Sequence, residues 1–422
     1  MKRLPIVLAC CLAIVFASCS SARPKPTAES KATYAGLRIG RPSPVKGAVE
    51  ASNVFLTSDR QIMALAEIND LRSEVAVGWE WVTPAGEPYL TVSQKVGPGE
   101  GMYYPKVAVS HALNVDREEA SLYPGTWNVS VFIDGRLKES RKFDLEPGLA
   151  TLLSPLTPPD PKKWALVVGL ERYSHLPPVD YAGSDAQTAA NYFVNLLGVP
   201  EKNVILLENE KATRSAVVAR LKDYLPANLG ADATLYVYFA GHGMPDVASG
   251  DPYLAFYDSE ATNIARTGYR FREFLADVGA LKVKNAYVFT DACFSGMAAR
   301  GEKMLVPGAR PALIRVDDVN LAAGKVVALG ASTGSQLSLA YHDKRHGLFT
   351  FYLLSGLRGQ ADPDGGGVVT LGNLYAYLKE NVERVSRRTT MEQVPSITPR
   401  IENVADVRLV VLPKQSKQGG LP

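Results

Sequence analysis

Two stretches decide the reading: LYVYFAGHG, Leu235 to Gly243, and YVFTDACFSG, Tyr287 to Gly296. Each is a run of apolar, β-branched and aromatic residues that stops at a reactive side chain beside glycine, His242 in one and Cys293 in the other. Short apolar runs of this kind fit strands buried on both faces. They sit within an alternation that spans the second half of the chain. WALVVGL starts at Trp164, a helix runs from about Asp185 to Leu197 and closes at Gly198, and NVILL starts at Asn203. A helix from about Arg214 to Tyr224, TLYVYFA from Thr234, a helix around Phe271 to Val278, NAYVFT from Asn285 and KVVALGAS from Lys325 continue it. The pattern predicts an α/β domain, a mostly parallel sheet flanked by helices. Ligands of such sheets bind beyond the carboxyl ends of the strands. If the two strands are neighbours, a spacing of ~4.8 Å brings imidazole and thiol to one substrate.

Compartment decides how Cys293 is read. MKRLPIVLACCLAIVFASC, residues 1 to 19, has a basic start at Lys2 and Arg3, an apolar run from Leu4 to Phe16 and small residues before Cys19. The run is too short to span a membrane, so it reads as a targeting segment. FASC resembles a bacterial lipobox, with Phe16 where Leu or Val is usual. That resemblance implies cleavage before Cys19, lipid on Cys19, and an exported, membrane-anchored lipoprotein. Because Ser20 and not Asp follows, an outer-membrane, periplasmic location is expected in a two-membrane host. An ordinary secretory signal is the alternative. Of four cysteines, Cys10 and Cys11 leave with the signal, and Cys293 stays without a partner thiol. A lone thiol in an oxidising compartment is a candidate nucleophile, although free cysteine is also a common core residue. A formal net charge of +3 over 422 residues, with Lys and Arg scattered among acids, implies no nucleic acid partner.

The organisation follows from composition. Residues 1–18 are the signal and 19–45 a Ser/Ala/Pro/Lys-rich tether. Residues 46–148 carry period-two patterns. Val75, Val77, Trp79 and Trp81 share one strand face, and Trp127, Val129, Val131 and Ile133 another, the second strand ending at the Asp134-Gly135 hairpin signal. An all-β sandwich is predicted there. YPGTWNVSVFIDG resembles a strand and turn of bacterial immunoglobulin-like accessory domains, and an unidentified protein partner is left open for this unit. A Pro-rich linker, 149–162, leads to the α/β domain, 163–412, and a tail, 413–422.

FAGHG and DACFSG resemble the His and Cys motifs of caspase-like cysteine peptidases, nearest the bacterial metacaspase type. The likeness extends to ALVVGLERY, YAGSDA, FYLLSGLRG and ADPDGGGVVTL. It implies His242 as general base, Cys293 as nucleophile, and the N–H groups of Gly243 and Cys293 as the oxyanion hole. Metacaspases often have Ser before Gly-His, where this chain has Ala240. The resemblance also aligns Asp185 and Asp291 with the two acids of the metacaspase primary pocket, implying peptide or protein substrates with Arg or Lys at P1. Either acid could instead cap a nearby helix or strand end. No cofactor or metal is required for thiol chemistry; calcium activation occurs in the family, but its acidic cluster is not located in this sequence. The turn Asp362 to Gly367 lacks carboxylates where a calcium loop needs them and reads as a turn before a helix capped by Thr370. Gly296 to Arg315, rich in Gly, Pro and basic residues, reads as an exposed loop that such an enzyme would cut in itself. Two other functions stay open: a catalytically silent scaffold lipoprotein, and a transpeptidase using the same acyl-enzyme.

Overall fold

The computed structural model describes residues 23–24 and 32–412, apart from 44, 46–47, 100–101, 117, 150–151, 153–154, 295–324, 334–335, 337 and 390. The signal segment, Cys19, the loop 296–315 and the tail 413–422 therefore lie outside the described residues. The chain divides at 150/151 into two units.

Alternation builds the first unit. Its strands are β1 (Arg23–Pro24), β2 (Thr33–Pro42), β3 (Val49–Ala51), β4 (Val54–Leu56), β5 (Gln61–Leu71), β6 (Val75–Val82), β7 (Pro88–Val96), β8 (Met102–Asn114), β9 (Gly125–Ile133) and β10 (Arg136–Glu146). They form two five-stranded sheets, ordered β1-β8-β5-β2-β3 and β4-β10-β9-β6-β7. On β6, Val75, Val77, Trp79 and Trp81 are buried while the residues between them are half-buried, as the period-two pattern demands. Asp134 and Gly135 both take positive φ, 50° and 73°, the pair of left-handed residues that a two-residue hairpin turn between β9 and β10 requires.

The sandwich starts earlier than composition suggested. Thr33–Pro42, assigned above to the tether, is a ten-residue strand paired with β5. Leu37 and Ile39 bury in the core, but a bulge between Tyr34 and Gly36 interrupts the alternation, which is why a period count passes over it.

The sandwich core holds Trp79, Trp81, Trp127, Phe55 and Phe143, together with one imidazole, His111 of β8. Trp81 Nε1–H donates to His111 Nδ1 at 3.1 Å across the core, so the ring is neutral there. Burial holds its pKa down at about 4. An unfolded His111 takes a proton as pH falls through about 6.5, and the folded one does not until about 4. The unfolded state thus binds more protons across this window, and stability that is complete above it declines as pH falls. Between pH 7.5 and pH 5 this residue should cost about 2 kcal/mol. Three of the four tryptophans lie in this unit. Urea unfolding followed by tryptophan fluorescence should therefore show wild type losing about 2 kcal/mol more than His111→Gln over that interval; equal losses would refute the assignment.

In the second unit β11 (Lys163–Gly169), β12 (Val204–Glu208), β13 (Thr234–Ala240), β17 (Asn285–Asp291), β18 (Val326–Gly330) and β22 (Ser396–Thr398) form one sheet in the order β12-β11-β13-β17-β18-β22. All pairings are parallel except that of the edge strand β22. A three-stranded sheet of β14 (Gly243–Pro245), β15 (Pro252–Leu254) and β16 (Tyr269–Arg270) follows β13 in the chain. Two small pairs complete the strands, β19 (Ala340–Tyr341) with β20 (His346–Gly347), and β21 (Val368–Thr370) with β23 (Arg408–Val411).

Strand residues alternate between two helical layers. Leu166, Val168, Val237, Phe239 and Val288 pack with α2 (Arg214–Ala219, continued by a π turn at Arg220–Tyr224) and α3 (Phe271–Ala280). Tyr236, Tyr238 and Phe289 meet α1 (Ala182–Asn195) and α4 (Leu348–Ser355): Phe193 lies 5.7 Å from Tyr236 and 6.1 Å from Phe289, ring to ring, and the Tyr238 hydroxyl is 2.7 Å from that of Thr350. Coverage on both faces is why these strands read as continuous apolar runs. Gly169 has no room for a side chain, since a Cβ there would lie 2.4 Å from that of Ala186 on α1. α5 (Leu371–Ser386) is capped by Thr370, whose hydroxyl accepts the Asn373 N–H at 3.2 Å, in line with the turn reading of Asp362 to Gly367. Among the described residues no helix is long and apolar enough to cross a membrane.

Candidate active site

The register of β13 against β17 sets the site. Ala240 faces Asp291 as the last pair of that ladder, and His242 and Cys293 each follow two residues later. Two exits at the same level of adjacent parallel strands stay about 4.8 Å apart at the backbone. The Gly241 N–H still donates to the Asp291 carbonyl at 3.2 Å, which carries the alignment one residue past the strands. His242 and Cys293 are both buried.

Gly243 is a second point of close approach between the two motifs. A Cβ there would lie 2.6 Å from the Cys293 carbonyl oxygen and 2.8 Å from the Phe294 ring, so only glycine lets the His loop rest on the Cys loop. Gly243 pairs with Leu254 of β15 while the Ala255 N–H donates to the His242 carbonyl at 3.0 Å. That bond makes Gly243–Leu254 a non-hydrogen-bonded pair of the ladder, which leaves the Gly243 N–H out of the ladder's bonding.

The imidazole is held by a loop that sequence reading did not connect to it. His242 Nε2 lies 2.9 Å from the Pro177 carbonyl, and the His242 N–H donates to the Tyr173 hydroxyl at 2.7 Å. A carbonyl can only accept, so Nε2 carries the ring proton and Nδ1 is the basic nitrogen. The Tyr173 ring stands 4.9 Å from the imidazole, centre to centre. Tyr173 closes the ALVVGLERY stretch just beyond β11, the strand on the other side of β13; the order of strands, legible only after folding, is what links it to His242.

Asp185 and Asp291 are both buried, and both bind the segment from Ser338 to Thr350. Asp185 lies inside the first turn of α1 and does not precede it: the helix starts at Ala182, its cap residue Tyr181 offers no side-chain acceptor, and Glu171 Oε2 accepts the Gly183 N–H at 3.1 Å instead. The Asp185 carboxylate accepts from His346 Nδ1 at 2.6 Å and from the Gly347 N–H at 2.9 Å. Asp291 accepts from the Ser338 hydroxyl, and from the Thr350 hydroxyl at 2.6 Å and N–H at 3.3 Å. The Tyr238 hydroxyl in turn meets Thr350, completing a chain from the middle of the sheet to the carboxylate. His346, Ser338 and Thr350 were not singled out in the sequence. Thr350 gave one signal, a polar side chain within the apolar helix LFTFYLLS, which needs a partner when buried. Among the described residues no three His, Cys, Asp or Glu side chains group as a metal site would.

The Gly243 contact makes a direct prediction. Gly243→Ala must push the His loop off Cys293, because its new Cβ meets a backbone oxygen and a ring packed on both sides. Overpacking of this kind costs about 1–3 kcal/mol, so the protein should stay folded while iodoacetamide alkylation of Cys293 changes at least tenfold in rate. An unchanged alkylation rate would mean the two loops do not act on each other.

The caspase domain of peptidase family C14 matches residues 162–403, more than half of the chain. Caspase-1 from Spodoptera frugiperda is similar at 17% identity, covering 64% of this chain and 95% of that one with a TM-score of 0.40. The pro-sf-caspase-1 structure is similar at 14% identity over 56% of this chain and 86% of that one, with a TM-score of 0.37. An immunoglobulin-like protein from Pseudomonas aeruginosa is similar at 18% identity over 28% of this chain and 99% of its own, with a TM-score of 0.21. No curated protein matches. A caspase-like α/β unit follows an all-β sandwich, and the chain belongs to the caspase-domain family of cysteine peptidases.

Proposed function

We propose that this chain is a lipid-anchored endopeptidase that hydrolyses peptide bonds after Arg or Lys through a Cys293–His242 dyad. The observation that carries the reading is the exit of both side chains at one level of β13 and β17, with His242 Nε2 turned to the Pro177 carbonyl. Nδ1 is then the nitrogen that takes the Cys293 proton. The thiolate attacks the substrate carbonyl carbon, and the resulting oxyanion is met by the N–H groups of Gly243 and Cys293. Collapse of the adduct breaks the C–N bond, with the imidazolium returning its proton to the leaving amine. Water, deprotonated by the same nitrogen, then releases the acid and the thiol. An amine in place of water would give transfer, by the same steps.

Asp185 and Asp291 support basic selection at P1. Both are buried carboxylates that accept bonds from His346, Gly347, Ser338 and Thr350, and a pair of carboxylates at a strand-end cleft would attract a basic side chain and repel an acidic one. Those same bonds favour a second reading, in which the two acids tie the 338–350 segment to the sheet and select nothing. Asp185→Asn separates the two. Under the first reading its turnover of an Arg reporter falls a hundredfold or more, while a matched citrulline reporter changes little, since losing one partner of a desolvated charge pair costs about 2–5 kcal/mol. Under the second, both reporters fall together. Cys293→Ala is the background control and should be inactive on both.

Anchoring rests on the FASC sequence and the Pro-rich residues behind it. Expressed in a two-membrane bacterium, the protein should take up labelled fatty acid and fractionate with outer membranes, and Cys19→Ala should lose the label. Label retained in that variant would rule out Cys19 as the lipid site.

A further inference from the structure

One loop holds His242 at two points. Between Glu171 and Val179 the chain closes on itself, the Val179 N–H donating to the Glu171 carbonyl at 3.0 Å. The start of the loop is fixed by the Asn209 side chain, whose Oδ1 accepts the N–H groups of Glu171 and Arg172 at 3.0 and 2.8 Å. Its middle is fixed by Ser174, whose N–H and hydroxyl both donate to the Tyr257 carbonyl at 2.9 and 2.8 Å. From this anchored frame Pro177 reaches the tip of the imidazole and Tyr173 reaches its backbone. Gly241 permits the second contact, because a Cβ there would lie 2.6 Å from the Tyr173 hydroxyl. The Tyr173 ring itself packs against both the main core and the small cluster of Leu176, Met244, Ala255 and Ile264.

We propose that Tyr173 is a positioning residue for His242, fixing the backbone from which the imidazole projects so that Nδ1 faces Cys293. A histidine held only at Nε2 could pivot about that bond, swinging Nδ1 away while keeping the Pro177 contact. A second fixed point on the backbone removes the pivot. The two contacts come from the same short loop, so they hold the ring as a unit. The inference rests on the dyad reading above and adds to it a residue that acts through the backbone of His242.

The test uses the full chain carrying Tyr173→Phe, which keeps the ring and removes only the accepting hydroxyl. Two readouts are needed: kcat and KM on an Arg reporter, and the pH dependence of iodoacetamide alkylation at Cys293, followed by mass spectrometry. Tyr173→Phe should lower kcat tenfold or more with KM within twofold, and should move the alkylation profile to higher pH, toward that of His242→Ala. Gly241→Ala, which displaces the hydroxyl from the other side, should reproduce both effects without altering Tyr173. If His242→Ala shifts the profile while Tyr173→Phe matches wild type in both readouts, the dyad stands and the positioning role is refuted. A raised KM at unchanged kcat would also overturn it, placing Tyr173 against substrate. If His242→Ala leaves the alkylation profile where it was, the dyad reading itself fails, and this inference with it.

Discussion

The pairing of β13 with β17 is the constraint on which the rest of the site depends. Seven consecutive parallel pairs, from Thr234 with Asn285 to Ala240 with Asp291, bring two motifs separated by fifty residues to the same level. Because strand side chains alternate with a period of two, a one-residue slip would send every core residue of β17 into the wrong helical layer. The apolar content of both faces therefore locks the register, and the register locks the site. The geometry of the candidate site is a by-product of core packing.

Beyond the strand ends, regular hydrogen bonding gives way to specific contacts. Gly243 resting on the Cys293 carbonyl and Gly241 beneath the Tyr173 hydroxyl are both places where a side chain would collide. They bring three loops together at a point no ladder could reach. The carboxylates of Asp185 and Asp291 do comparable work on the side of α1 and α4, each gathering donors from the 338–350 segment. A buried carboxylate needs such donors, and the same bonds fix the segment in place.

The sandwich unit shows the opposite economy. Its core is nearly all aromatic and aliphatic, with one imidazole enclosed by two indoles, and that ring is kept neutral by burial. Two of the three buried, hydrogen-bonded histidines among the described residues, His111 and His242, are of different kinds. His111 accepts from an indole inside a closed core. His242 stands at a strand exit, with its protonated nitrogen occupied and its basic one directed away from that bond.

The sequence by itself determined the elements and the reactive groups. Strict alternation in β6 and β9, the Asp134-Gly135 turn, the apolar runs of β11, β13 and β17, and the glycine-flanked His242 and Cys293 were legible because each depends on neighbours in the chain. β2 was not, since a bulge and scattered glycines hide its two inward residues. The start of α1 was misplaced for a related reason: its Gly183 N–H is satisfied by Glu171 from outside the helix, and the cap residue Tyr181 carries no signal. Only the tertiary structure decided which loop orients His242, what binds Asp185 and Asp291, and which nitrogen of the imidazole is basic. Those contacts join residues up to 162 positions apart. Such partners are selected by strand order and by space left between packed layers, and no local periodicity records either.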